Sequence, residues 1–478
     1  MNIRLVLRVT GRVMQLESAV MLIPLAVALL YRESPAPFLY SILIILISGT
    51  LLSHLPARRH FFAREGFVAV GLIWILTGVL GGLPFYFSGY FNSFVDCVFE
   101  SCSGFTTTGS TILTDIESLP KGILFWRSFT HWLGGMGVLV LATAVLPSLG
   151  IRSSYLTRAE TPGPVFSKLV PKQSQTSKIL YGIYCVLTLV EVICLKLAGL
   201  PLYDAFIHAF GSAGTGGFSN RNLSVGAYAN PTAEVIIAVF LVLFSINFAL
   251  YFLLLSRRFR EVLASDELRF FLLIVAGSTL LIFFNIYPIY QNVGDSLRNA
   301  FFQVTSIIST TGFGTVDYVY WPTFSRMILI LLMFCGACAG STGGGIKCSR
   351  MLLLFRSIRR EVHRIIHPNA VETIRLDGQV LDEDTLGTAL SFSGFYVTIV
   401  LVAALIISLD NMSFGVSFSA ALTCTSNVGP GLEAIGPMGN FSAFSPLSKI
   451  VMSLCMIIGR LEIYPILAMF SLHAWRRT

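Results

Sequence analysis

The chain has 478 residues, 54% hydrophobic and only 12% charged, with a formal net charge of +8 at pH 7. A soluble domain carries about a quarter charged residues, so this composition excludes an ordinary water-facing surface and places the chain in a bilayer. The cations gather in loops between apolar runs, which reads as a topology signal and gives no support to a nucleic-acid interface.

About 20 apolar residues in a helix cross roughly 30 Å of hydrocarbon. Arg4, Arg8 and Arg12 precede an apolar run from Val13 to Leu30, an order that resembles a secretory signal. No small-x-small cleavage site follows Leu30, and a second run, Pro37 to Leu55, comes directly after, so residues 1–64 read as two retained helices. Further apolar runs lie at Gly66 to Val95, Val235 to Ser256, Phe270 to Gly294, Met327 to Ile346 and Thr385 to Leu409. Basic clusters fall at Arg58, Arg59 and Arg64, between Arg152 and Lys178, between Arg257 and Arg269, between Arg350 and Arg375, and at Arg476 and Arg477. The loops between them hold single cations such as Arg32, Lys121, Arg221 and Arg298. Positive loops stay cytoplasmic, which predicts two cytoplasmic termini and an even number of crossings. Most of the nine cysteines sit in the apolar runs, and Cys335 and Cys338 lack the second ligand pair of a zinc site, so they read as packing residues.

A pattern of apolar span, short amphipathic segment, glycine-rich loop and apolar span recurs four times. Its boundaries are 65–150, 151–262, 263–366 (the second helix broken) and 367–478. With the two N-terminal helices this predicts an all-α integral membrane protein of ten transmembrane helices. Aligned loops place Gly109, Gly217, Gly312 and Gly429 in one column. The preceding residues are Thr106, Thr107 and Thr108; Gly214, Thr215 and Gly216; Ser309, Thr310 and Thr311; and Ser426, Asn427 and Val428. Asp96 and Asp204 precede their glycines by the same thirteen residues. Arg127, Arg326 and Lys449 each stand ten residues before Gly137, Gly336 and Gly459, while in the second repeat Glu234 replaces the cation and Phe244 the glycine.

Backbone that is neither helix nor closed barrel survives at membrane depth only when buried in protein or lining water. Four such loops are therefore expected to converge on a wet axis, where glycine lets successive carbonyls replace an ion's hydration shell. The segments before them, Val95 to Cys102, Asp204 to Phe210, Leu297 to Thr305 and Phe414 to Leu422, are too short to span and suit half-helices with negative C-terminal ends aimed at the loops.

On these four loops, on CAGSTGGGIK (Cys338 to Lys347) and on GRLEIYP (Gly459 to Pro465), the chain resembles the Trk, Ktr and HKT superfamily of potassium uptake proteins, closest to its bacterial TrkH type. The resemblance spans essentially the whole chain. It implies one pore built from four pseudo-symmetric helix, pore loop, helix repeats, a homodimer, and a cytosolic nucleotide-binding (TrkA-like) regulatory subunit. It also implies the cytoplasmic (inner) membrane of a bacterium as location, and potassium preference where every filter position is glycine. Potassium is then the cargo, with no organic cofactor.

Gly340, Ser341, Thr342, Gly343, Gly344 and Gly345 interrupt the second helix of repeat three, each glycine costing about 1 kcal/mol against alanine in a helix. A mobile gate beneath the filter is one reading and a tight helix-packing patch the other. A phosphate loop is excluded because Ile346 stands where lysine is required. Arg460 is a charge in the last apolar run, and its neighbour Glu462 lies on a different helix face. Either it faces the pore as an electrostatic barrier, with Lys347 beside the same path, or it pairs with a distant carboxylate. Glu191 and Lys196 read as a structural or interfacial pair, and His131 and His473 lack companions for catalysis. Arg356, Arg359 and Arg360 are expected either to dock the regulator or to touch anionic lipid. An ion-coupled (sodium or proton) secondary transporter is the alternative function, disfavoured by repeats that run parallel where such folds are commonly inverted. No catalytic cluster suggests an enzyme.

Overall fold

A computed structural model describes residues 2–56, 63–140, 173–369, 372–461, 463, 466 and 469. Six described helices are long and apolar enough to cross a membrane, or seven if a bent pair is one span. Three belong to the N-terminal part: Ile3–Leu30, Ala36–Ser53 and Glu65–Ser88. The first starts ten residues earlier than its apolar run, because Asn2 caps it by accepting from the Leu5 N–H and the arginines lie within its first turns. It crosses Ala36–Ser53 where Gly11 and Gly49 meet, and a Cβ on either would press against the other's carbonyl oxygen. Glu33, in the turn of this hairpin, caps Lys121–Val140 by accepting from the N–H groups of Lys121 and Gly122 at 2.7 and 2.8 Å.

The remaining long spans are Lys178–Leu197, Asp266–Tyr290 and Glu383–Asp410. Each stands before a shorter helix of 12 to 16 residues, as does Glu65–Ser88, and these short helices are Phe94–Phe105, Leu202–Gly214, Val293–Ile308 and Phe414–Ser426. All four run further than their sequence boundaries, because small polar residues such as Ser306 and Ser426 still fit the last turn. After each loop comes a second helix: Lys121–Val140, Pro231–Ser245, Thr323–Cys335 and Pro446–Arg460. Every short helix packs against the long helix before it, the second helix after it, and the second helix of the preceding unit. The first unit's neighbour in that last sense is Pro446–Arg460, so the packing closes on itself.

Two second helices are discontinuous. Pro231–Ser245 turns by 90° into Phe248–Leu255, where one straight span is expected from sequence, because Ile246 is extended and Asn247 caps the new helix by accepting from the Ala249 N–H. Thr323–Cys335 stops at Gly336, whose φ of +65° ends the helix, and helical structure resumes only at Cys348–Ile366. A two-stranded hairpin, Arg375–Leu376 with Gln379–Val380, follows. Its turn is Asp377-Gly378, both at positive φ, the sequence that a two-residue hairpin favours. Leu376 and Ile374 anchor it on Leu352, Leu353 and Leu386.

Candidate functional site

The four short helices end alike. Thr107, Thr215, Thr310 and Asn427 adopt left-handed φ values of 54° to 61°, and the next residue's N–H reaches back five residues. These bonds run from Thr108 to the Ser103 carbonyl, Gly216 to Gly211, Thr311 to Ser306 and Val428 to Thr423, at 2.8 to 3.0 Å. This is a Schellman-type end, ordinarily made with glycine at the left-handed position. A non-glycine residue there costs about 1–2 kcal/mol, most awkwardly for β-branched threonine, so four in register mark a strained backbone at one place.

The following residues are Gly109, Gly217, Gly312 and Gly429, at φ of +80° to +97°. A Cβ on Gly109 would strike the carbonyl oxygen of Gly216, one on Gly217 that of Thr311, one on Gly312 that of Val428, and one on Gly429 that of Thr108, all under 3.0 Å. Each glycine is thus backed by the carbonyl just before the aligned glycine of the next loop, and the fourth returns to the first. The ring is stitched by Asn427 Nδ2 donating to Thr108 Oγ1 (2.9 Å) and Ser110 Oγ donating to the Gly429 carbonyl (3.1 Å). Hydroxyl pairs Thr106 with Thr108 and Ser309 with Thr311 stiffen loops one and three. The Thr107 hydroxyl and the Asn427 amide oxygen are buried without a protein partner, which leaves two lone-pair-bearing oxygens at the ring. All four glycines line one cavity of about 90 Å³, on the side of the residues that follow them.

Loop two has glycine where loops one and three have threonine, and His131 takes over the bracing. The Nδ1 of His131 bonds the Gly104 carbonyl at 2.8 Å, its Nε2 accepts from the Phe218 N–H at 3.2 Å, and a Cβ on Gly216 would collide with its ring. Those partners assign the neutral Nδ1–H tautomer. His208 lies behind the same loop, bonded to the Asp204 carbonyl and to Ser219 Oγ. His131 lacks companions for catalysis, as expected from sequence, and its bracing role is hinted at only by the side-chain-poor stretch Gly214 to Gly217, which needs outside support. His473 and Glu462 lie outside the described residues.

Buried ion pairs surround the ring. Arg127 Nε meets Glu100 Oε1 at 2.6 Å, both side chains at most 2% exposed, and Arg127 also donates to the Ser219 carbonyl. Glu100 in turn accepts from Thr111 Oγ1 and the Ile112 N–H, so one pair holds the exits of loops one and two. Lys449 meets Asp96 at 2.6 Å, and Asp204 accepts from Asn220 at 2.8 Å. Glu234, the acidic residue at the cation position of repeat two, lies 2.8 Å from Arg298 on the third short helix. That N–H is not aimed at the carboxylate oxygen, so the pair is held by charge more than by a hydrogen bond. Glu191 is wholly buried and Lys196 exposed, so the two do not pair with each other within the chain.

The stretch from Gly340 to Lys347 lies against the other side of the ring. The Gly344 N–H donates to Thr310 Oγ1 at 2.7 Å, and a Cβ on Gly343 or Gly344 would press on the carbonyls of Ser309 and Ser426 respectively. Ser341 is half-buried and folds back on the Cys338 carbonyl, while Thr342 Oγ1 bonds the Phe244 carbonyl at 3.2 Å. The Phe248 N–H donates to the Gly340 carbonyl and the Cys338 N–H to the Ser245 carbonyl, both at 3.1 Å, so the elbow of repeat two seals the break of repeat three. Lys347 Nζ donates to the Gly343 carbonyl, and a φ of +73° at Gly345 turns the chain into the next helix. Arg460 reaches across: Nη1 donates to the Thr342 carbonyl at 2.6 Å and Nη2 to the Gly134 and Gly135 carbonyls at 2.8 and 3.3 Å.

On Cys348–Ile366, Arg356 pairs with Asp266 at 3.0 Å and Arg360 with Glu383 at 2.6 Å, which leaves Arg359 as the exposed member of the expected docking trio. Among the described residues no cluster of three or more His, Cys, Asp or Glu side chains is placed to hold a metal ion.

The profile of a family described as "TrkH: Cation transport protein" matches residues 34–475. The chain is 39% identical to the Trk system potassium uptake protein TrkH of Salmonella typhimurium over 487 residues, covering all of both. It is 35% identical to TrkG of Escherichia coli K12, covering 99% of each. The crystal structure of the potassium transporter TrkH from Vibrio parahaemolyticus superimposes with a TM-score of 0.88, at 34% identity and full coverage of both chains.

Proposed function

The chain belongs to the TrkH family of cation transport proteins and is a transporter, not an enzyme; from that premise we propose that it conducts potassium through a channel-like pore whose selectivity filter is the four-loop ring. The observation that carries this reading is the closed succession of glycines, each backed by a carbonyl of the next loop. Such a ring offers cations oxygen in place of water, at loop entrances where four helix C-termini add negative potential. The filter comprises Thr106 to Gly109, Gly214 to Gly217, Ser309 to Gly312 and Ser426 to Gly429. Ten crossings, two N-terminal and two per repeat, put both termini in the cytoplasm.

The broken segment Gly340 to Gly345, with Lys347 and Arg460, is the gate. Its contact with loops three and four and the guanidinium bridging Thr342 to Gly134 support an obstruction directly beneath the filter. We infer further that the chain works as a homodimer with a cytosolic nucleotide-binding regulatory subunit, in keeping with relatives named as parts of a Trk system. In sealed liposomes holding the purified protein, a potassium gradient alone should drive uptake. Uptake that requires an imposed sodium or proton gradient would favour coupled transport instead.

A further inference from the structure

The long helix of repeat three opens with two carboxylates that face different parts of the molecule. Glu267 is 5% exposed, and its Oε1 accepts from the Ala339 N–H at 2.7 Å and from the Ser349 N–H at 2.9 Å. Those two amides flank the broken segment on either side, so one oxygen holds both of its ends. Asp266, next in the chain and about 100° round the helix, faces the cytosolic hairpin. Its N–H donates to Asp377 Oδ1 at 2.7 Å, and its Oδ2 accepts from the Asp377 N–H at 3.1 Å and pairs with Arg356 at 3.0 Å. Arg356 also donates to the Arg375 carbonyl, so the hairpin, Cys348–Ile366 and the start of Asp266–Tyr290 are tied at one point.

We propose that Asp266 and Glu267 form a latch: Glu267 is a positioning residue that holds the broken segment in its blocking arrangement, and Asp266 makes the hairpin at Arg375–Val380 the handle that moves it. The inference rests on the gate reading. A buried amide left without an acceptor carries its full desolvation penalty, and among the described residues nothing else accepts from these two amides once the Glu267 oxygen leaves. The adjacent side chains leave the same rigid helix end. A cytosolic protein that shifts the hairpin therefore displaces both carboxylates together, without touching the membrane-buried segment.

The test uses the full-length protein in liposomes, reading radioactive rubidium uptake per folded molecule and hydrogen–deuterium exchange of the peptide spanning residues 336–350. Glu267→Ala should raise uptake roughly tenfold, the scale of leaving a buried amide unsatisfied, and speed exchange in that peptide. Glu267→Asp keeps the charge but shortens the reach by one methylene and should behave the same way, which also carries the test if the alanine variant fails to assemble. Glu267→Gln keeps an oxygen in the same place and should restore wild-type uptake. If the aspartate variant matches wild type and the glutamine variant does not, charge and not reach is at work, and the latch is overturned. Deleting Gly340 to Gly345 separates the two readings. Raised uptake in the deletion with none in Glu267→Ala and Glu267→Asp removes the latch and leaves the gate, whereas no rise in the deletion removes the gate and the latch with it.

Discussion

Three threonines and an asparagine adopt left-handed backbone at a cost of about 1–2 kcal/mol each, and they occupy equivalent places at the ring. The cost is accepted there because the turn delivers the next carbonyls and the following glycine toward one axis, which a relaxed helix end would not do. Arg460 works at the same scale. It donates to backbone carbonyls of two other repeats, and on the barrier reading those three bonds hold the guanidinium across the path on the helix side of the ring. Arg460→Ala should therefore raise potassium flux per folded molecule while leaving yield close to wild type. A fall in yield with no rise in flux would show a structural brace instead. The residue types at the ring were legible from sequence because four aligned loops repeat them. The roles of His131 and Glu267 were not, since each acts through backbone groups distant in sequence, and nothing local marks a side chain whose partner is another segment's amide.

Among elements, the second helices carry the information that sequence periodicity reads least well. Repeat two looked divergent because Glu234 stands at the cation position, but the cation has moved to Arg298 on the neighbouring short helix, so the pair is reversed and not lost. Glu234→Arg alone would set two like charges together in a mostly buried place and should destabilise the protein by about 3 kcal/mol. Adding Arg298→Glu should recover most of that loss in thermal unfolding of the detergent-solubilised protein, and no recovery would show that the two side chains act separately. The 90° elbow after Ser245 was hidden for a related reason: the run through it is uniformly apolar, and only Asn247, in a position to cap the second piece, betrays the turn. The glycine-rich break in repeat three was legible because four glycines cannot continue a helix unaided. The Asp377-Gly378 dipeptide is a local hairpin signal, but that the hairpin commits Arg356 within the chain is not local, because the link runs through Asp266 more than a hundred residues away.

At the scale of the whole molecule, cyclic packing of short helix against preceding second helix explains how one chain surrounds an axis without a second subunit. Each loop is held by its own helices and by the next repeat's carbonyl, so a disturbance in one quadrant is felt in its neighbour. The family was legible from the four loops together with the stretches Cys338 to Lys347 and Gly459 to Pro465, and the full-length matches agree with it. The two N-terminal helices fill the flank of repeat one, where Gly11 and Gly49 permit close crossing. The central claim is that four equivalent glycines make the filter, and the most direct test is the potassium to sodium permeability ratio of Gly109→Ser, Gly217→Ser, Gly312→Ser and Gly429→Ser in liposomes. Each added Cβ strikes a carbonyl of the adjacent loop, so the ratio should fall in every conducting variant, and a ratio equal to wild type in any of them would contradict the account.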